Sequence, residues 1–216
     1  MNHVIDFLSE LKDNNNREWF NQNRDRYEAA RGEFEMLMNR IIPGIQTFDS
    51  EIAGVTAKQA IFRIFRDVRF SKDKSPYKTN FGGFISKGGR KGGHAGYYIH
   101  IDPSGSFLAG GSYMPPPGFL KKFRQEIYFN IDEFKKIILS NDFRQAFGNL
   151  EGEKLSRPPK DFPADFPDID LLKFKSYIVM HSLDNRLINK PDLIEYILDI
   201  FNRLAPLNHF LNRALS

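Results

Sequence analysis

The chain has 216 residues, of which 41% are apolar and 21 are Phe, so it can bury a core of its own that is partly aromatic. It has no cysteine, which excludes disulfides and thiolate metal sites. The formal net charge is +4, but the window from 63 to 91 holds nine basic residues against two acids, so the rest of the chain sums to −3. This asymmetry indicates an anionic partner.

The N-terminal sequence lacks the basic flank and long apolar run of a secretory signal. No stretch approaches the ~20 consecutive apolar residues of a membrane span. We therefore expect a soluble, cytoplasmic protein that does not interact with membranes. The composition leaves the oligomeric state open.

The first part of the chain predicts helices. Residues 4–11 place Val4, Phe7, Leu8 and Leu11 at the i, i+3, i+4, i+7 spacing of a short amphipathic helix. The sequence "DNNN" (13–16) is predicted to end it and to cap the next helix. Helical spacing then continues from 17 to about 42, and Pro43-Gly44 is predicted to end that long helix.

The middle of the chain predicts antiparallel strands. Four segments are rich in β-branched and aromatic residues, namely 59–70, 80–86, 96–102 and 106–114. The links between them are too short for helical crossovers, so the strands should run antiparallel. Segment 59–70 also fits a helix, and its class stays open. The Gly-rich segment 87–96 is predicted to be a long, mobile hairpin loop.

The last part of the chain returns to helical spacing. Helices are predicted within 120–148, a surface segment at 155–170, a strand at 173–183 and a final helix after 189–191 that Pro206 kinks or ends. Helices, then a β-meander, then helices form an α+β fold. We expect one domain over 1–216, an antiparallel β-meander flanked by N-terminal and C-terminal helices.

The segment "FRDVRFSKDKSPYK" (65–78) is the strongest candidate for a functional site. If 60–70 is a strand, Arg66 is the only charge on an apolar face and must reach a carboxylate, a carbonyl or an anionic ligand. Pro76 stiffens the lysine-rich segment around it. Arginine forks and lysine charges suit phosphate or carboxylate. The candidate ligand-binding residues are Arg63, Arg66, Arg69, Ser71, Lys74, Tyr77 and Lys78.

Four residues are candidates for a catalytic role in such a site. Asp67 or Asp73 would orient the cations or act as a base, and Tyr77 is the third candidate. His100 is the fourth, with a satisfied core histidine as the alternative. The five histidines show no ligand spacing, so no metal site is predicted, and no pattern predicts a cofactor.

Three interpretations of the basic segment remain open. The first is a pocket for an anionic small molecule, with phosphorylated metabolites as the first ligands to test. The second is nucleic-acid binding through the same window, with tyrosines as stacking platforms. The third is a structural clamp in which Arg66 pairs with Asp67 or Asp73 and the lysines are solvated.

Stretches 7–28, 62–83 and 96–117 together resemble a widespread uncharacterised family known as domain of unknown function 2461. The resemblance covers nearly the whole chain. It implies a single α+β domain without a known cofactor, and it supplies no established reaction. An arginine recurs in the family near position 124, which implies that Arg124 completes the anion pocket; a solvated helix residue is the alternative.

Overall fold

The computed structural model describes all residues from 1 to 216, and its N-terminal part is helical. The helices are α1 (Asn2–Asp13), α2 (Arg17–Gln22), α3 (Arg24–Gln46) and α4 (Ala57–Ala60). The predicted apolar stripe of α1 is buried, which confirms that helix. The Asn16 side chain accepts a hydrogen bond from the backbone of Trp19 and caps α2, as "DNNN" predicted.

Two predicted helix boundaries are wrong. The long helix predicted from 17 is interrupted at Asn23, which separates α2 from α3. Pro43 does not end α3, which continues to Gln46. A proline removes one backbone hydrogen bond, but the burial of Ile41, Ile42 and Ile45 around it outweighs that loss.

Four antiparallel strands form the sheet in the order β1-β2-β3-β4. They are β1 (Phe81–Ser86), β2 (Gly96–Ile101), β3 (Ser106–Ser112) and β4 (Tyr177–Leu183). Consecutive strands in the chain are neighbours in the sheet, which confirms the predicted meander. The long connection from β3 to β4 contains the next group of helices.

Segment 59–70 is neither a strand nor a continuous helix. Helix α4 covers its start, and only Ile61 and Phe65 then form isolated bridges, to Gly83 and Tyr77. Neither of the two alternatives for this segment, a strand or a helix, therefore holds over its length. Its residues form the rim of the sheet rather than a fifth strand, and Pro76 opposite them has no N–H to continue a ladder.

Helices cover only one face of the sheet. The remaining helices are α5 (Pro117–Phe129), α6 (Ile131–Ile138), α7 (Asn141–Phe147), α8 (Ile169–Leu172) and α9 (Leu193–Arg213). Pro206 lies inside α9 and does not end it, since Leu204 and Leu207 on either side are buried. The covered face packs against α3 and α9 and contains Ile85, Tyr97, Ile99, Leu108 and Val179, all buried.

The opposite face of the sheet is open. Phe84, Tyr98, Ala109 and Met180 form one row across the four strands, and each is only half-buried. This alternation of buried and half-buried residues follows from the two-residue period of a strand. None of the helices combines the length and the apolar content that crossing a membrane requires.

Candidate functional site

The predicted motif forms a loop, and Arg66 joins the two ends of this loop. Its guanidinium group pairs with the carboxylate of Asp73 and donates to the Ser75 carbonyl at 3.2 Å. Asp73 in turn accepts from the Ser75 hydroxyl at 2.6 Å and from the Ser75 backbone at 2.9 Å. These hydrogen bonds from Ser75, and then the Arg66 contact, lower the pKa of Asp73 to about 2.

The other charges of the loop are paired locally or exposed. Arg69 donates to both oxygens of the neighbouring Asp67, at 2.9 and 2.6 Å. The Lys74 ammonium donates to the Val68 carbonyl at 3.0 Å. The Arg63 side chain is exposed. The loop therefore satisfies much of its own charge.

The ring of Tyr77 packs into the core. It stacks on Phe20 at 3.9 Å between centroids, and only 4% of the residue is exposed. The Asn15 side chain bonds both the N–H and the carbonyl of Tyr77, at 3.1 and 2.9 Å. Tyr77 thereby anchors the loop to the N-terminal helices immediately before β1.

A cleft of about 670 Å³ lies on the open face of the sheet, a size typical of small-molecule sites. Its floor is the sheet, one wall is formed by Phe62, Lys78 and the 87–95 loop, and the other by residues 113–116. Three lining residues are basic, namely Lys78, Arg90 and Lys91, and none of the 21 is Asp or Glu. The cleft is thus apolar with uncompensated positive charge.

Lys78 is the motif residue that reaches this cleft. Its ammonium nitrogen lies 5.3 Å from the centre of the Phe62 ring, and the guanidinium of Arg90 lies 5.7 Å from the same ring. Burial lowers the pKa of Lys78, and the positive charges of Arg63 and Arg90 lower it further. Arg90 is held in place by donating to the carbonyls of Gln59 and Ile61.

A polar network lies beside the cleft on the same face of the sheet. The His100 ring nitrogen Nδ1 is 3.0 Å from the Tyr98 hydroxyl and 3.3 Å from the Asn80 amide nitrogen. Because an amide NH₂ can only donate, Nδ1 is the acceptor. Burial lowers the pKa of His100 and raises that of Tyr98 to about 12, so both are neutral near pH 7. Tyr98 and Asn80 line the cleft, whereas His100, next to Tyr98 on the same face of β2, contacts both but does not line it.

A smaller cavity of about 310 Å³ adjoins the cleft. Arg66, Asp73 and Tyr77 line this second cavity, and it shares Lys78 and Asn80 with the cleft. The motif therefore contributes to both spaces, and Lys78 is its member common to the two.

Arg124 is not among these residues. Its guanidinium donates to the Phe174 carbonyl at 2.9 Å, beneath α5, and it lines neither cavity. Sequence reasoning also did not single out Arg90, Lys91 and Asn80 as site residues. The sequence features that could have indicated them are the basic, Gly-rich hairpin for Arg90 and Lys91, and a polar residue just before β1 for Asn80.

The model of the family described as conserved hypothetical protein (DUF2461) matches residues 3–210. The chain belongs to this family. The match begins in α1 and ends in α9, so it includes the motif, the sheet and the cleft. No curated protein and no solved structure matches the chain.

The site of this DUF2461 member can supply charge and proton donors. No set of three or more His, Asp or Glu side chains converges to hold an ion. Two kinds of functional group are present in the cleft: basic side chains without an acidic residue among the lining residues, and the Tyr98 hydroxyl, which is hydrogen-bonded to His100.

Proposed function

We propose that the cleft binds a small molecule through a phosphate or carboxylate group, with Lys78 as the main contact and Arg90 and Lys91 beside it. Lys78 carries the proposal, because its half-buried ammonium has no carboxylate in the cleft to compensate it. A cation that is partly removed from water without a partner is costly, and a bound anion would compensate it.

The remaining motif residues serve this site indirectly in the proposal. Arg66 and Asp73 close the loop, and Tyr77 anchors the chain that carries Lys78. Tyr98, hydrogen-bonded to His100, is the group best placed to exchange a proton with a bound molecule. If the ligand is converted, these two residues are the first to replace.

An anion screen tests the proposal with a matched pair of variants. Phosphate, phosphorylated metabolites and carboxylates are added in a thermal-unfolding assay. A ligand at ~100 times its Kd should stabilise the folded protein by about 2.7 kcal/mol. Lys78→Met keeps the apolar stem and should weaken binding at least about tenfold, without loss of stability, since it removes a dehydrated charge.

Lys72→Met is the control, because Lys72 lies in the same motif but is exposed and lines neither cavity. It changes the net charge equally and should bind like the wild type. The proposal fails if no anion at millimolar concentration stabilises the protein, or if Lys78→Met and Lys72→Met bind alike.

Single-stranded nucleic acid is the second candidate, favoured by Tyr98 and Tyr113, whose rings line the same basic cleft. It requires affinity that falls steeply with salt, because lysine and arginine displace counterions from phosphates. A gel-shift series with single-stranded RNA and DNA measures this. Binding that does not depend on salt, or no binding at low salt, removes this candidate.

A further inference from the structure

The floor of the cleft has a depression at Ala109. In the strand register Ala109 lies between Tyr98 on β2 and Met180 on β4, with Phe107 and Gly111 before and after it on the same face. The two flanking strands are about 9–10 Å apart, twice the spacing of neighbouring strands. A small side chain between large ones leaves a depression whose sides are a phenol ring, a phenyl ring and a thioether.

The wall above this depression is apolar and held in a strained conformation. Tyr113 and Met114 are each 72% exposed, and Pro115 and Pro116 follow them along the cleft. Met114 has a φ of 46°, which residues other than glycine rarely adopt, and its N–H donates to the Ser176 hydroxyl at 2.9 Å. Strain of this kind persists where surrounding contacts enforce it, commonly at ligand clamps.

The depression adjoins the cations. Lys78 and Arg90 lie against the Phe62 ring, and that ring contacts the Tyr98 ring edge-to-face at 6.2 Å between centroids. Tyr98 is itself one side of the depression. One molecule of modest size can therefore place an anionic group near Lys78 and another part of itself over Ala109.

We infer that the ligand of this cleft carries a planar aromatic ring next to its phosphate or carboxylate group, an inference that rests on the proposed function. Aromatic rings stack on or pack edge-to-face with the rings of Tyr98 and Phe107, and thioethers such as Met180 contact ring edges favourably. Neither type of contact is open to inorganic phosphate or acetate.

The test compares ligands that differ only by the ring. Phenyl phosphate and inorganic phosphate form one pair, benzoate and acetate the other, and each is titrated into the full chain by calorimetry. We expect the aromatic member to bind at least about tenfold more tightly, as one buried ring contact of this kind allows.

Ala109→Phe fills the depression without changing any charge. It should weaken phenyl phosphate at least about tenfold and leave phosphate within about twofold, because the cations are untouched. Ser182→Phe is the size-matched control, since Ser182 lies opposite Phe107 in the register, is exposed and does not line the cleft. Met180→Ala removes one side of the depression and should also weaken binding of the aromatic ligands only. It provides an independent test if Ala109→Phe does not fold.

The outcomes separate the inference from the proposed function. If phenyl phosphate and phosphate bind with equal affinity and Lys78→Met loses both, the inference of an aromatic ligand is wrong and the proposed anion site is supported. Binding of phenyl phosphate that Lys78→Met does not weaken would overturn the anion site, and with it this inference. Absence of binding by all four ligands would overturn this inference, and the proposed function would fall with it if the anion screen also finds no ligand.

Discussion

Arg66 is held by acceptors inside its own loop, and this decides what its removal should do. Asp73 is 60% exposed and keeps its two hydrogen bonds from Ser75, so water can replace the guanidinium. We expect Arg66→Met to lose little stability in urea unfolding. Its affinity for anions in the cleft should stay within about twofold, because Arg66 does not line the cleft and Tyr77 anchors the chain that carries Lys78.

Two results would contradict this expectation for Arg66. A large loss of stability would mean that Asp73 depends on Arg66 as in a buried ion pair. A loss of anion binding with normal stability would place Arg66 in contact with the ligand through the smaller cavity.

Asp49 is a buried carboxylate on the covered side of the sheet, 2% exposed. It accepts from the Tyr97 hydroxyl at 2.7 Å, from the Glu51 backbone at 3.0 Å and contacts the His209 ring at 3.3 Å. Burial alone would raise the pKa of Asp49, but the hydrogen bonds from His209 and Tyr97 outweigh it and lower that pKa. The same contact with Asp49 raises the pKa of His209.

The raised pKa of His209 makes stability depend on pH. A histidine whose pKa is higher in the folded state than in the unfolded state stabilises the folded protein when it is protonated. This contribution is complete below the unfolded-state pKa near 6.5 and is lost as the pH rises through the folded-state pKa. We therefore expect His209→Asn to be destabilised below pH 6.5 by at most about 1 kcal/mol, since the ring is partly exposed. The difference from wild type should shrink at higher pH.

Urea unfolding of both proteins between pH 5 and pH 9 measures this difference. His3→Asn is the control, because His3 is exposed on α1 and has no such carboxylate. A stability difference for His209→Asn that is constant across the range would show that packing, not protonation, is responsible.

At the scale of elements, helix α9 positions the cleft from behind the sheet. The buried Asn212 side chain bonds both the N–H and the carbonyl of Ala95, at 2.8 and 3.2 Å, where β2 begins. Asn208, one turn earlier, accepts from the N–H of Gly111 at 3.1 Å, where β3 ends. The loop that carries Arg90 and the wall at 113–116 depart from these two points.

Elements with a regular apolar period could be predicted from the sequence, and irregular ones could not. The strands of the meander and the first and last helices follow from spacing within a few residues of each position. Segment 61–70 alternates aromatic and charged residues like a strand, but its partners are the isolated residues Gly83 and Tyr77. Pro43 predicted a helix end and Pro206 a kink or an end, yet both helices continue because apolar side chains beside the prolines are buried.

At the scale of the whole molecule, one core joins all the elements. Its 49 buried apolar residues run from Val4 in α1 to Leu211 in α9 and include the face of the sheet against which the helices pack. We expect the chain to unfold as one domain. Fluorescence of Trp19, whose ring lies 5.9 Å from Phe7, and far-UV circular dichroism should give the same urea midpoint.

Separate midpoints for the two signals would contradict the single domain. Trp19 reports the N-terminal helices, whereas circular dichroism reports every helix. An earlier loss of ellipticity without a change in Trp19 would indicate that α5–α8 unfold independently.

The sequence by itself determined the α+β class, the four strands of the meander with helices before and after them, and the concentration of positive charge between 63 and 91. These properties depend on local spacing and composition. Only the tertiary structure decided which of these charges line the cleft. Arg66 pairs with Asp73 within its own loop. Lys78 and Arg90 come from segments on either side of β1, and both lie against the Phe62 ring in a cleft that no acidic residue lines. Whether a cation is paired or free depends on distances between residues far apart in the chain, and these arise only when the sheet forms.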